Sequence, residues 1–351
     1  AIFPKDIWAT AKKNAKGKPD YGTVAPIGTG PYKTTKVVAG ESVAMEKNAD
    51  YWKGSPKGSP SIGKIMFRTI SDPEAQIAEL LSGSIDWIWD VPKDKAEQLK
   101  LIGTNKVMNV PTMRISYITM DRAGRSGKGK ENPFYNKKVR QAVAHAIDRN
   151  AIAKELVGGA SQVIHAACFP TQFGCTQDVP KYKYDPGKAK KLLADAGYPN
   201  GFSTEIMAYR QREYTEAVMG FLAKVGIKSK LKYMQYKALR GIVWDGKAPF
   251  HHMTWGSYSM NDVSAITSHF FKQGRDDYCR DDDIKNWLET GDTSVDPKVR
   301  KSAYKKALSK LSGELCWLPM FTYAKYYAFS KDLDFSPTAD EIPRFFTASW
   351  K

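Results

Sequence analysis

Three Asp-Pro pairs punctuate the chain, at residues 72–73, 185–186 and 296–297. Each is followed by apolar residues at helical spacing and then by a glycine. Aspartate accepts the N–H groups that a helix start leaves unpaired, and proline takes the first helical position without losing a needed donor. The first of these helices carries Ile77, Leu80 and Leu81 up to Gly83, and the second Ala189, Leu192, Leu193 and Ala196 up to Gly197. The third carries Val299, Ala303, Ala307, Leu308 and Leu311 up to Gly313. A fourth helix is predicted over residues 136–157, with Asn136 as cap and Val139, Ala142, Val143, Ala146 and Ile147 on one stripe. His145 lies off that stripe, and Gly158-Gly159 is the stop. Strand-like segments at 64–70, 107–113, 116–120, 204–209 and 227–233 alternate with the helices, and residues 213–225 join the last two as a crossover helix. Alternation of this kind predicts α/β layers.

With 351 residues, of which 42% are hydrophobic and 12% aromatic, the chain is long enough for two domains at about 100–200 residues each. No apolar run approaches the roughly 20 residues that cross a bilayer, and the opening AIFPKDIW lacks the apolar core of a secretion signal. The formal charge of +17 invites a nucleic-acid partner. Its distribution argues against one: bases alternate with acids in AKGKPD, KALRGIVWDGK and DDDIKNW, and there is no basic helix or RNP-like aromatic signature. Residues 53–63 and 122–132 read as surface connections. The four cysteines allow three full pairings. Cys168 and Cys175 flank the turn-like PTQFG, which suits a local disulfide in an oxidising compartment; two reduced buried thiols are the competing reading.

The motifs of common enzyme classes are absent: there is no GxSxG elbow, no HExxH and no GxGxxG after a strand. His251-His252 is the one conspicuous histidine pair, but neighbours on a strand point to opposite faces. Met253, Met260 and His269 keep a metal or haem ligand set open beside a packing role. Residues 252–265, HMTWGSYSMNDVSA, combine an aromatic plate, Trp255, with Gly256 and the polar groups of Ser257, Tyr258, Ser259, Asn261 and Asp262. Such a mixture suits a ligand cleft, and equally an ordinary loop beside a core tryptophan. In MAYRQREY, residues 207–214, Tyr209 and Arg210 stand where a strand gives way to a helix. A guanidinium there meets a carboxylate through two parallel hydrogen bonds, favoured by the helix N-terminus. The alternative is a surface arginine paired with Glu213 or Glu216.

Four segments occur in order: PIGTGPY at 26–32, NADYWKG at 48–54, NKKVRQAVAHAIDRNAI at 136–152 and YDPGKAKKLLADAGYPNGF at 184–202. In sequence and spacing they resemble the family 5 extracellular solute-binding proteins, the peptide and nickel receptors of bacterial ABC importers, over nearly the whole chain. The resemblance implies an α/β fold of the two-lobed periplasmic binding type (type II, the large peptide-receptor form), with mixed sheets flanked by helices. Residues 1–111 and 321–351 would form the remainder of the first lobe and 112–320 the second, with crossings near 111–117 and 318–326. The N-terminal part of the first lobe and a small extra domain are expected to be missing from this chain, and a secretion signal to lie outside it.

The same resemblance implies a monomeric periplasmic receptor, without cofactor or catalysis, that captures a small peptide or peptide-like solute in an interlobe cleft. It would deliver that solute to an ABC permease and its ATPase, with no part for nucleic acid. Trp255, Gly256, Ser257, Tyr258, Asn261 and Asp262 would then contact the ligand. Arg210, with Arg212 as substitute, would pair with the peptide C-terminus, and Arg114 and Tyr117 at the first crossing would face the cleft. One departure bears on the substrate. Dipeptide receptors hold the ligand amine with an aspartate soon after the loop tryptophan, whereas here Ser257, Tyr258 and Ser259 stand there and Asp262 is the first acid. A capped peptide or an opine-like conjugate therefore stays open. A metal chelate or haem receptor is the rival within the class, and a chaperone-like polypeptide binder the rival outside it.

Overall fold

The computed structural model describes residues 28–351 together with Lys13 and Gly17. The opening AIFPKDIW, and Pro26 and Ile27 of the first family segment, lie outside the described residues. The chain divides into two compact units. One comprises residues up to Val110 with Lys325–Thr338 and Ile342–Lys351; the other comprises Pro111–Ala324 with Ala339–Glu341.

The first unit opens with an antiparallel sheet of β1 (Tyr32–Val38), β2 (Ser42–Lys47) and β3 (Lys64–Arg68) in sequential order. Helix α1 (Pro73–Ser82) starts on the Asp72 carboxylate, which accepts from Ala75 N at 2.9 Å, and stops at left-handed Gly83. Strand β4 (Trp87–Trp89) and helix α2 (Lys93–Ile102) follow. Leu80, Ile88, Val91, Ala96 and Leu99 form one small core of this unit with Tyr326 and Ala328 from late in the chain.

The second unit is built on a mixed sheet. Strand β5 (Asn105–Met120) runs as one continuous strand through the two segments predicted separately. After helices α3 (Lys137–Ala146) and α4 (Pro186–Asp195) come β6 (Phe202–Ala208), α5 (Arg212–Ala223), β7 (Ile227–Tyr233), α6 (Tyr236–Trp244) and β8 (Phe250–Gly256). Helices α7 (Ser264–Phe270), α8 (Asp282–Thr293) and α9 (Pro297–Glu314) lead to β9 (Trp317–Ser330). The strand order is β9-β5-β8-β6-β7, with β8 antiparallel to β5 and β6 parallel to both β8 and β7. Side chains alternate along each strand, so both faces are covered. Ile115, Tyr117 and Met253 enter the core under α7, α8 and α9, while Ile118, Met120 and Phe250 enter the core under α3, α4 and α5. The outer strand β7 exposes Lys228, Lys230 and Lys232, which discourage edge-to-edge pairing with another chain. Back in the first unit, β4 pairs with the last part of β9, and β10 (Leu333–Asp334) pairs with β11 (Ser349–Trp350).

Two helix expectations need correction. Residues 136–157 are not one helix: α3 ends at Ala146, Ile147 is extended, and Asp148 caps a new turn by accepting from Ala151 N at 3.0 Å. That turn continues as a π-helical stretch, Ile152–Val157. The apolar stripe runs unbroken through the junction, so periodicity could not reveal it; the aspartate competing for backbone N–H groups does. Replacing Asp148 with Ala should cost about 0.5–2 kcal/mol, measured as a lower urea midpoint at unchanged m-value. Likewise α9 does not stop at Gly313 but at left-handed Leu315.

Candidate functional site

In the second unit, β6 stops at Ala208 opposite His252 of the parallel strand β8, which runs on to Gly256, and the chain leaving each carries the residues singled out from the sequence. In open α/β sheets, ligands bind beyond the carboxyl ends of such strands. From β6 come Tyr209, Arg210 and Gln211, and from β8 come Gly256, Ser257 and Tyr258. β5 begins its passage through this unit here, so Arg114 lies directly opposite Gly256 in the antiparallel register.

That pairing explains the glycine. A Cβ on residue 256 would lie 2.8 Å from Arg114 Nη2 and 3.1 Å from a Glu341 carboxylate oxygen. The guanidinium is clamped across this gap. Its Nε and Nη2 each donate to Glu341 Oε2 at 2.9 Å, and Nη1 donates to Thr254 Oγ1 at 3.1 Å. The Thr254 hydroxyl is bonded in turn to the Tyr209 hydroxyl at 3.0 Å. Burial works against the charge on Arg114, but the Glu341 carboxylate outweighs it and holds the guanidinium more basic than usual.

Glu341 arrives on the return segment Ala339–Glu341, which docks along the loop after β8. Met113 N donates to Ala339 O at 2.7 Å, and the Ser259 hydroxyl donates to Asp340 Oδ2 at 3.0 Å.

Around Arg210, Tyr323 of β9 donates its hydroxyl to Gln211 Oε1 at 3.2 Å. Burial pushes the Tyr323 phenol well above its ordinary pKa, and the charge of half-buried Arg210 acts on it in the opposite direction. Gln211 precedes α5 in a left-handed conformation, with no side-chain cap on the helix start. Of the seven non-glycine residues with positive φ among those described, three are at this end of the sheet: Gln211, Tyr258 and Glu341. Such conformations cost about 1–3 kcal/mol each and cluster where ligands are clamped.

Trp255 belongs to the opposite face from Thr254 and Gly256. It donates Nε1–H to Ala265 O at 3.0 Å and packs among His269 and Phe270. Ser257 is buried, its N–H bonded to Met113 O, while its hydroxyl has no partner among the described residues. Tyr258 is 57% exposed. Asn261 is exposed and accepts from Phe173 N through its backbone. The Asp262 carboxylate is engaged by Arg300 Nη2 at 2.8 Å and by Ser264 N at 3.0 Å. Arg212 points along the surface of α5, where its Nε lies 2.7 Å from Glu216 Oε1.

Tyr117 does not face a cleft: it is 1% exposed and stacked on Trp317 at 3.5 Å, within the core under α7, α8 and α9.

Cys168 and Cys175 are joined, with Cα atoms 5.8 Å apart, and so are Cys279 and Cys316. The first disulfide closes a loop that braces the one after β8. Gln172 Nε2 donates to Met260 O and Asp262 O, and Val263 N donates to Phe173 O. His251 and His252 lie on opposite faces of β8. His251 Nδ1 is bonded to Ala248 O at 2.9 Å, and His252 bridges the Ser116 and Thr215 hydroxyls. Among the described residues, no three His, Cys, Asp or Glu side chains gather around a common point. A cavity of about 800 Å³ in the first unit is walled by Ile62, Phe67, Trp87 and Phe345. Charged residues at its rim pair with each other, Lys64 with Glu46, or with a neighbour, Arg68 with Glu79.

Thr254, Gln211, Tyr323 and Glu341 were not singled out from sequence. Glu341 is 227 residues from its partner Arg114, and no local pattern announces such a contact.

Residues 1–277 match the family described as bacterial extracellular solute-binding proteins, family 5. The chain is 27% identical over 324 residues to the glutathione-binding protein GsiB of Escherichia coli (strain K12), an alignment covering 88% of this chain and 61% of that protein. It thus spans about three fifths of the length of the curated relatives it matches. Among solved structures, it aligns with the periplasmic binding protein DppA from Helicobacter pylori in complex with the peptide STSA. The TM-score is 0.86 at 24% identity, covering 99% of this chain and 68% of that one. It also aligns with a dipeptide-binding protein from Pseudoalteromonas sp. SM9913 in complex with Met-Leu, with TM-score 0.85 at 21% identity, covering 100% and 69%. The fold is that of the two-lobed periplasmic binding proteins. On the extent of the family match, this chain belongs to the family 5 bacterial extracellular solute-binding proteins.

Proposed function

We propose that the protein is the receptor component of a bacterial ABC importer, working in the periplasm, and that it binds a small peptide or peptide-like acid without transforming it. The observation that carries this reading is the convergence of Arg210, the uncapped start of α5 and the Arg114–Thr254–Tyr209 network at the carboxyl ends of β6 and β8. Arg114 has its carboxylate already, in Glu341. Arg210, in the stretch between β6 and α5, is the residue assigned to the ligand carboxylate, with the partial positive charge of the helix start behind it. The names of relatives support the substrate class: they bind glutathione, STSA and Met-Leu. The two disulfides suit an oxidising compartment. An ABC permease and its ATPase are the partners this role requires.

The test is calorimetry with glutathione and Met-Leu as probes. Arg210→Ala should weaken the bound probe by about 1.5–3 kcal/mol, roughly 10- to 150-fold, at unchanged unfolding midpoint. Equal affinity in parent and variant would remove Arg210 from the site.

A second reading is favoured by the engagement of Asp262 with Arg300. With the first acid after Trp255 held by its own arginine, a ligand without a free amine, a capped peptide or an opine-like conjugate, suits the loop. N-acetylated Met-Leu binding at least as tightly as Met-Leu would select it.

A further inference from the structure

His269 has no part in the binding of the ligand carboxylate, and the pattern of its contacts supplies another role. Its imidazole is stacked on the indole of Trp255, with ring centres 4.8 Å apart and planes 15° from parallel. Phe270 meets the same indole edge-on at 5.0 Å, and the Nε1–H bond to Ala265 O fixes the rotation of the ring in its plane. The imidazole is itself held: Nε2 lies 3.4 Å from Asp276 Oδ2, and the same oxygen accepts Trp244 Nε1–H at 2.9 Å.

Asp276 is thus an anchor with two donors. Burial works against its charge, but the bonds from His269 and Trp244 and the charges of His269 and Arg240 hold its carboxyl below the ordinary value. Arg240 reaches it from α6 with its guanidinium over the Trp244 ring at 4.2 Å, and Arg275 covers Trp244 at 4.7 Å. Lys272, just beyond α7, is paired with Asp292.

We infer that His269 is the positioning residue of Trp255: anchored on Asp276, it covers one face of the indole and holds the ring in one orientation, so that a ligand meeting this ring meets an ordered one. This rests on the reading of Trp255 as a ligand contact. A partly buried indole held by one hydrogen bond and one edge contact would otherwise retain freedom about its side-chain torsions, and ordering it on binding would weaken affinity. An offset stack on a second ring removes that freedom beforehand.

The test uses the whole chain. Emission from Trp255 is taken as the difference between the parent protein and Trp255→Phe, and its quenching by acrylamide is measured. In His269→Ala the exposed second face should raise the quenching constant about twofold, and Trp255→Phe difference spectra in the near-ultraviolet should lose intensity. His269→Phe restores a ring at this position and should return both signals to the parent level. Parent-like quenching in His269→Ala, or failure of His269→Phe to restore it, would overturn the assignment. The ligand role of Trp255 is read separately. If Trp255→Ala leaves the affinities for Met-Leu and glutathione unchanged while the quenching results hold, that role falls and the stacking assignment stands.

Discussion

Between pH 6.5 and 4.5 the protein should lose about 4 kcal/mol of unfolding free energy through two side chains, His251 and His252. Both are buried in the sheet of the second unit, and burial lowers each imidazole to about 4; the neighbouring His251 contributes further to His252. In the unfolded chain each returns to about 6.5. Within that window the unfolded chain binds protons that the native state refuses. Stability is therefore fully present above about pH 6.5 and falls as pH drops toward 4, by about 1.4 kcal/mol per pH unit for each group. His165, half-buried beside Arg149, is depressed to about 4 in the same direction. Urea unfolding at pH 7, 5.5 and 4.5 measures the effect. In His252→Asn, whose amide can still bond to the hydroxyls of Ser116 and Thr215, the acid-dependent loss should shrink by about 2 kcal/mol, the share of one imidazole. A loss as large as the parent's would show that the pair is not its source.

Arg149→Met should destabilise the protein by about 3–5 kcal/mol, toward the upper end of what a single substitution does. Arg149 is buried, and among the described residues no carboxylate pairs with it. Nη1 donates to Ile164 O at 2.9 Å and to Pro319 O at 2.6 Å, and Nη2 donates to Tyr182 O at 2.9 Å and reaches His165 Nδ1 at 3.4 Å. Burial lowers its pKa to about 10, which leaves it charged at neutral pH. The side chain thus pins three loop and strand segments to the turn after α3. Methionine fills the volume but leaves two buried carbonyls and a partly buried one without this donor, a buried one costing about 1–3 kcal/mol. Arg149→Lys keeps the charge without the planar fork and should fall between parent and methionine variant. A methionine variant within about 1 kcal/mol of the parent in urea unfolding at pH 7.5 would contradict this account.

Arg149 also shows what kind of information the sequence holds. Its neighbourhood, AVAHAIDRNAI, reads as helix and as a family segment, yet the reason for the arginine lies at Ile164, Tyr182 and Pro319, which periodicity does not connect to it. The Asp-Pro helix starts were legible because cap, proline and apolar stripe all act within one turn or two. Strands β8 and β9 were not, since a strand buried on both faces loses the alternation that marks a half-buried one. At the candidate site, Arg210 and the loop after Trp255 were visible as strand ends with polar residues beyond them. Their division between two faces of β8 was not, because a one-residue difference in phase decides which face a side chain takes. Glu341 had no local signature, and only the register of Arg114 against Gly256 gives it meaning.

The return segment Ala339–Glu341 makes the second unit discontinuous in the gene while it is continuous in space. Cutting out residues 111–324 as a module would keep β6, β7 and β8 whole but strip the carboxylate from Arg114 and the anchor from Ser259, leaving a buried cation without its counter-charge. Grafting this lobe onto another receptor, or swapping it between family members, therefore means transplanting two stretches of chain together, the shorter one carrying the electrostatic balance of the longer.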